Sequence, residues 1–226
     1  VMGEVAVPGT YMLSSLSTVF HALYRAGGVN NIGSLRSIRV MRGSNCIADL
    51  DVYDYILKGK LLDDIRLMEG DVIIVPPYEK LVDISGKVKR PMYYEMKKNE
   101  TLATLIKYAG GFSGDAYTKG VRLVRQSGRE YKLFNIDEMD YSVFHLDDGD
   151  AVTVGSILDR FENRVEVRGA VYRSGMYELS GNMNTVKQLI QKAEGLKGDA
   201  FLNRAQLFRE HEDLTLEVIP IDLKGM

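Results

Sequence analysis

Tryptophan is absent from the 226 residues, and cysteine and histidine are scarce, with one and three copies. Each shortage removes a class of function. Without tryptophan the chain lacks the ring that best matches the flat apolar face of a sugar, so a dedicated sugar-stacking site is not indicated. Cys46 by itself allows no internal disulfide and no thiolate metal cluster. On a strand edge it reads as a small buried apolar residue rather than a reactive thiol. His21, His145 and His211 stand far apart, in no HExxH pair and beside no GxSxG serine, which leaves metal and nucleophilic catalysis without their groups. No catalytic residue, metal ligand or cofactor-binding residue is assigned, and the chain reads as a non-enzyme without a cofactor.

A charge excess is missing too. Lys plus Arg number 29 against 31 Asp plus Glu, a net charge of −2, so the basic footprint of a nucleic-acid binder is lacking and nucleic acid is not a partner. No apolar run approaches the ~18 residues of a membrane-spanning helix, and no signal-peptide pattern opens the chain. Residues equivalent to Val82 and Val165 would precede Val1, so the chain reads as part of a longer protein.

What is present is repetition. VMGEVAVPGTY at Val1 to Tyr11 returns as ISGKVKRPMYY at Ile84 to Tyr94 and as VRGAVYRSGMY at Val167 to Tyr177, with the glycines at 3, 86 and 169 in equal steps of 83. A fixed period of this kind is settled before any other reading. It predicts three units, 1–78, 79–160 and 161–226, each small enough to gain from packing on a neighbour.

Within each unit the alternation around a Pro or Gly bend (Pro8-Gly9, Arg90-Pro91, Ser174-Gly175) predicts a β-hairpin with one buried face. A helical stripe follows at i, i+3, i+4 and i+7: Val19, Ala22, Leu23 and Ala26, then Leu102, Leu105, Ile106 and Ala109, then Val186, Leu189, Ile190 and Ala193. Ser17 or Thr18 suits the first N-cap, Thr185 with Gln188 suits a capping box, and Gly27, Gly110 and Gly195 suit the left-handed C-terminal stop. A third strand ends at Arg42, Arg125 and Arg209. Units one and two finish with a Gly-Asp turn (Gly70-Asp71, Gly149-Asp150) and a last apolar strand; the third stops before this point and is expected to be incomplete.

Several stretches suggest chemistry and fit structure better. Ala26-Gly27-Gly28 and Ala109-Gly110-Gly111 close a helix where a phosphate loop would open one. Asp147-Asp148-Gly149-Asp150 lacks the spacing of a calcium loop and reads as the turn before the last strand. Tyr11, Tyr94 and Tyr177 recur at one position, as do Arg42, Arg125 and Arg209, and these six are the candidates for ligand or contact residues. The competing reading puts each Tyr half in the core with its hydroxyl at the rim, and each Arg in a pair with a nearby acid.

One hairpin, one helix and two or three further strands predict an α+β arrangement, a small mixed sheet packed on one main helix in a β-grasp-like unit. The order V-x-G-x-V-x-x-P-G-x-Y, T-V-x-x-A-L-x-x-A-G-G, I-R-V-x-R and L-x-x-G-D-x-I-x-V-P resembles the SLBB (soluble ligand-binding β-grasp) domain. Its tandem arrangement resembles the Wza-like polysaccharide export proteins, whose periplasmic rings lie beneath an outer-membrane pore. That resemblance implies three tandem SLBB units forming a non-catalytic periplasmic part of a capsule or exopolysaccharide export machine, attached to the outer membrane in the full-length protein. The implied partners are polysaccharide, further copies of the protein and inner-membrane capsule assembly or export proteins. The different-class alternative is a soluble small-ligand or glycan-binding module. SLBB domains also accompany cobalamin-binding, respiratory and DNA-uptake proteins, and the near-neutral charge speaks against the last.

Overall fold

Each repeat turns its alternating runs into strands and its helical stripe into one short helix. The computed structural model describes residues 1–59 and 64–225, and divides into two compact units, Val1–Ile157 and Leu158–Met226. The first unit holds two of the repeats. It runs β1 (Met2–Gly3), α1 (Val19–Arg25), β2 (Ile38–Arg42), β3 (Asn45–Leu50), α2 (Val52–Lys58) and β4 (Val72–Val75), then β5 (Leu81–Gly86), β6 (Met92–Glu95), α3 (Leu102–Tyr108), β7 (Gly120–Ser127), β8 (Glu130–Asp137) and β9 (Ala151–Val154). The second unit runs β10 (Arg164–Val167), β11 (Gly175–Glu178), α4 (Val186–Lys192), β12 (Ala205–Glu210) and β13 (Leu216–Ile221).

The first two sheets share one plan, β1-β4-β2-β3 and β6-β5-β9-β7-β8. In each, the last strand of the repeat inserts between the first strand, which it meets in parallel, and the third-strand arginine run, which it meets antiparallel. The helical stripes cover these sheets. Val19, Ala22 and Leu23 are buried with Ile38, Val40, Ile73 and Val75, while Leu102, Leu105 and Ile106 are buried with Ile84, Leu123, Val152 and Val154. This is the α+β mixed-sheet arrangement that the pattern predicts.

The insertion explains the recurring glycine. Gly3 and Gly86 sit at φ +88° and +83°, and a Cβ on either would lie 2.1 Å from the carbonyl oxygen of Val75 or Val154 in the inserted strand. Only glycine allows both that conformation and that approach. Gly169 keeps φ +100°, yet an added Cβ there meets nothing within 4 Å. In the second unit β10 pairs with β11 and β12 with β13, and no strand joins the two ladders among the described residues. Of the three equally spaced glycines, two are therefore held by close strand packing and Gly169 is not.

Other local predictions meet the structure unevenly. The hairpin forms fully as β5–β6 and β10–β11. In the first repeat the backbone bonds at this place are the mutual ones of Val1 and Gly9. The Thr185–Gln188 capping box is formed, and Thr18 caps α1 with His21 reaching back to its N–H at 3.2 Å. The helices α1, α3 and α4 end in the paired 6→1 and 5→2 backbone bonds of a Schellman motif. Its left-handed residue is Gly27 or Gly110 in the first two and Glu194, not Gly195, in the third, at φ 64°. Cys46 is exposed rather than buried, because it lies beside the tight β2–β3 turn, where the chain has no sheet or helix over it. The helix α2 is an element the repeat pattern does not announce: Asp51 accepts from Tyr53 N–H at 3.0 Å as N-cap and Gly59 closes it at φ 66°.

Candidate functional site

Five of the six recurrent residues have a local partner, of one of two kinds. Each tyrosine hydroxyl donates to the carbonyl four residues back, Tyr11 to Val7, Tyr94 to Arg90 at 3.0 Å and Tyr177 to Arg173 at 2.6 Å, so the ring locks the bend of its own hairpin. Arg42 grips Asp71 with two bonds of 2.8 Å, and Arg125 grips Asp150 with bonds of 2.8 and 2.7 Å. Each aspartate also accepts the backbone N–H three residues before it, from Met68 and Asp147. The Gly-Asp turn is thus fastened to the neighbouring strand by a bidentate charge-assisted pair. The hydrogen bond from Arg42 outweighs the small effect of burial and holds Asp71 below the usual carboxylate range. Arg209 is exposed and has no such partner among the described residues.

The most heavily built polar centre uses none of these. Arg36, in the approach to β2, is buried at 6% exposure and divides its guanidinium between Asp51 of its own repeat and the second repeat. Its Nε donates to Asp51 at 2.9 Å; Nη1 donates to the Glu95 carbonyl at 2.9 Å and to Glu100 at 3.0 Å; Nη2 donates to Glu100 at 2.8 Å. The faces of Tyr53 and Tyr108 lie against it, with centroids 4.4 and 5.3 Å away. Burial opposes the Arg36 charge, but Glu100 and Asp51 overcome that and raise its pKa. Burial likewise works against ionised Glu100, and the bonds from Arg36, Tyr108 and the Lys97 N–H hold it below its ordinary value nonetheless. The Tyr108 phenol is pushed well up by burial and by its bond to Glu100.

A second set of bonds ties the same seam. Glu95 accepts from Ser34 Oγ at 2.6 Å and from Leu35 N–H at 2.7 Å, and its own N–H donates to Tyr53 Oη at 2.8 Å. Lys97 reaches across to Asp51 at 2.7 Å. Every buried side-chain polar atom among the described residues has a partner, which is the condition for buried charge to hold rather than loosen a junction.

Beside this seam lies a cavity of about 280 Å³. One wall is the loop from Val29 to Leu35 with α2; the other is β6 with Arg90 and α3. Five tyrosines line it, Tyr53, Tyr78, Tyr93, Tyr94 and Tyr108. Of the six recurrent candidates only Tyr94 is among its lining residues. Among the described residues no group of three or more His, Cys, Asp or Glu side chains is placed to hold a metal ion, and no helix is long and apolar enough to cross a membrane.

Periodicity conceals the role of Arg36 because its partners, not its charge, depart from the repeat. The residue 83 places on is Lys119, whose partner is the exposed Glu138 at 2.8 Å. Glu95 and Glu100 likewise stand where the first repeat has Met12 and Ser17. Glu100, a charge at a position held by Ser17 in the first repeat, is the one departure in the pattern that points to the seam.

Comparison with known proteins agrees with this duplication. Residues 1–75 and 81–134 each match a family model described as an SLBB domain. Two Escherichia coli proteins, both named polysialic acid transport protein KpsD, are 24% identical to the chain over 211 residues, which is 92% of this chain and 37% of theirs. The chain therefore spans well under half the length of the relatives it matches.

Proposed function

Since the chain belongs to the SLBB-domain proteins, carrying two such domains fused across a buried seam, we propose that it is a non-catalytic periplasmic part of a polysaccharide export machine. In the full-length protein this part is attached to the outer membrane and works as a scaffold. The similarity to polysialic acid transport proteins along 92% of the chain is the observation that carries the reading. The seam around Arg36 supports it, because a conduit needs modules that keep a fixed mutual orientation while polymer passes, and a dry, fully bonded ion cluster does that better than a flexible linker. The three repeats, 1–78, 79–160 and 161–226, serve as modules. Their partners are copies of the same protein and the inner-membrane capsule assembly or export proteins.

The test is deletion of the gene in its own organism, with polysaccharide at the cell surface measured against polysaccharide retained in the periplasm. The expected result is loss from the surface with retention inside, restored by the parent gene. Unchanged surface polysaccharide after clean deletion defeats the export reading.

A further inference from the structure

The cavity beside the seam is built like a sugar site, although the sequence contains no tryptophan. At about 280 Å³ it is near the lower limit of small-molecule sites, of the order of 300 Å³, which suits one or two sugar units and is too small for a folded partner. Its tyrosines supply what tryptophan would, an apolar face with a polar edge. Among the described residues the Tyr78 and Tyr93 hydroxyls and the Asn31 amide have no hydrogen-bond partner, and Tyr53 accepts from Glu95 N–H while its own O–H finds no acceptor. Donors and acceptors therefore stand beside apolar lining residues that include Leu35 and Met92.

Charge narrows the ligand further. Two charged residues line the cavity, Arg90 and Glu95. The Glu95 carboxylate is consumed by Ser34 and Leu35. Arg90 donates one Nη2 bond to the Tyr108 carbonyl at 3.1 Å and leaves its remaining N–H groups exposed. The unspent charge is positive, and a guanidinium is shaped for a carboxylate. From these observations we infer that the cavity between the first two repeats binds a unit of an acidic polysaccharide, with the sugar ring on the tyrosines and its carboxylate on Arg90. The identity of the ligand rests on the export reading; the existence of the site does not.

Calorimetric titration of the full-length protein tests it, with an N-acetylneuraminic acid trimer and a galacturonic acid trimer as acidic probes and maltotriose as the neutral one. At least one acidic trimer is expected to bind at least about tenfold more tightly than maltotriose, the worth of one charge-assisted bond. Arg90→Gln should remove that preference, and Tyr93→Ala should weaken all binding, since Tyr93 is 62% exposed and holds nothing in the fold. Circular dichroism of both variants should match the parent. Absence of binding by all three probes, preference for maltotriose, or acidic-trimer binding indifferent to both substitutions overturns the site. Binding lost in the variants while they still restore surface polysaccharide leaves both site and export intact and separates them. Binding in a protein whose deletion leaves surface polysaccharide unchanged sinks the export reading alone.

Discussion

At the scale of single residues, the repeat is a set of local locks. The tyrosine closes its own bend, the glycine lets the inserted strand approach, and the Arg–Asp pair fastens the turn before that strand. Substitutions should sort accordingly. Gly86→Ala meets the Val154 carbonyl and a left-handed backbone together, whereas Gly169→Ala meets the backbone term alone. The second should cost roughly 1–3 kcal/mol, and the first clearly more; denaturant unfolding of the two variants checks the order, and equal losses would show that strand approach does not select the glycine. Acid provides another check. Asp71 titrates lower in the folded chain than when unfolded, so the stability it contributes is fully present above the unfolded value near pH 4 and disappears as pH falls through the folded one. Between roughly pH 5 and pH 3 the urea midpoint of the parent should fall further than that of Arg42→Met, in which this coupling is gone.

At the scale of elements, what sets the first two repeats apart from a string of independent modules is α2 and the Arg36 centre behind it. Asp51 does three tasks there, capping α2, accepting from Arg36 and meeting Lys97. Removing the guanidinium leaves Glu100 and Asp51 short of their main donor in a nearly dry place. Arg36→Met is therefore expected to destabilise the first unit by about 3 kcal/mol, the lower end for breaking a buried pair, since Tyr108 and Lys97 still donate. Lys119→Met, at the matching place in the next repeat, touches only an exposed pair and should stay within about 0.5 kcal/mol. Paired unfolding curves decide this. Similar effects from the two substitutions would mean that the seam is held by something other than Arg36.

At the scale of the whole chain, the two compact units differ in how much apolar surface they remove from water. The first contains two extensive clusters of buried side chains, one per repeat. In the second, Val171, Met183 and Ala193 are the buried apolar residues among the described residues, and the stripe of α4 stays half exposed. Hydrophobic stabilisation follows buried area, so scanning calorimetry of the chain should give two transitions, the lower one belonging to Leu158–Met226. Brief proteolysis should cut first near Ile157 to Glu162, where exposed residues join the units. A single cooperative transition would show that the units unfold as one.

Some of this protein was determined by the sequence alone: the three-fold period, the alternation that makes the sheets, the 3.6-residue stripes, the glycine stops and the Gly-Asp turns. These features come from contacts inside one repeat, and a contact copied with the repeat leaves a copied mark on the sequence. Tyr94 and Arg90, or Arg125 and Asp150, show in the pattern because Tyr11 or Asp71 shows the same thing again. The seam, the cavity and the exposure of Cys46 were decided only by the tertiary structure. Arg36 and Glu100 are 64 residues apart and have no equivalent pair one period later, so periodicity contains no trace of their meeting. Gly169 makes the same point in reverse, for it carries the mark of the repeat without the strand that gives the mark its meaning. Pairing across repeats depends on which face of one module packs on the next, and that is fixed by burial and charge in three dimensions.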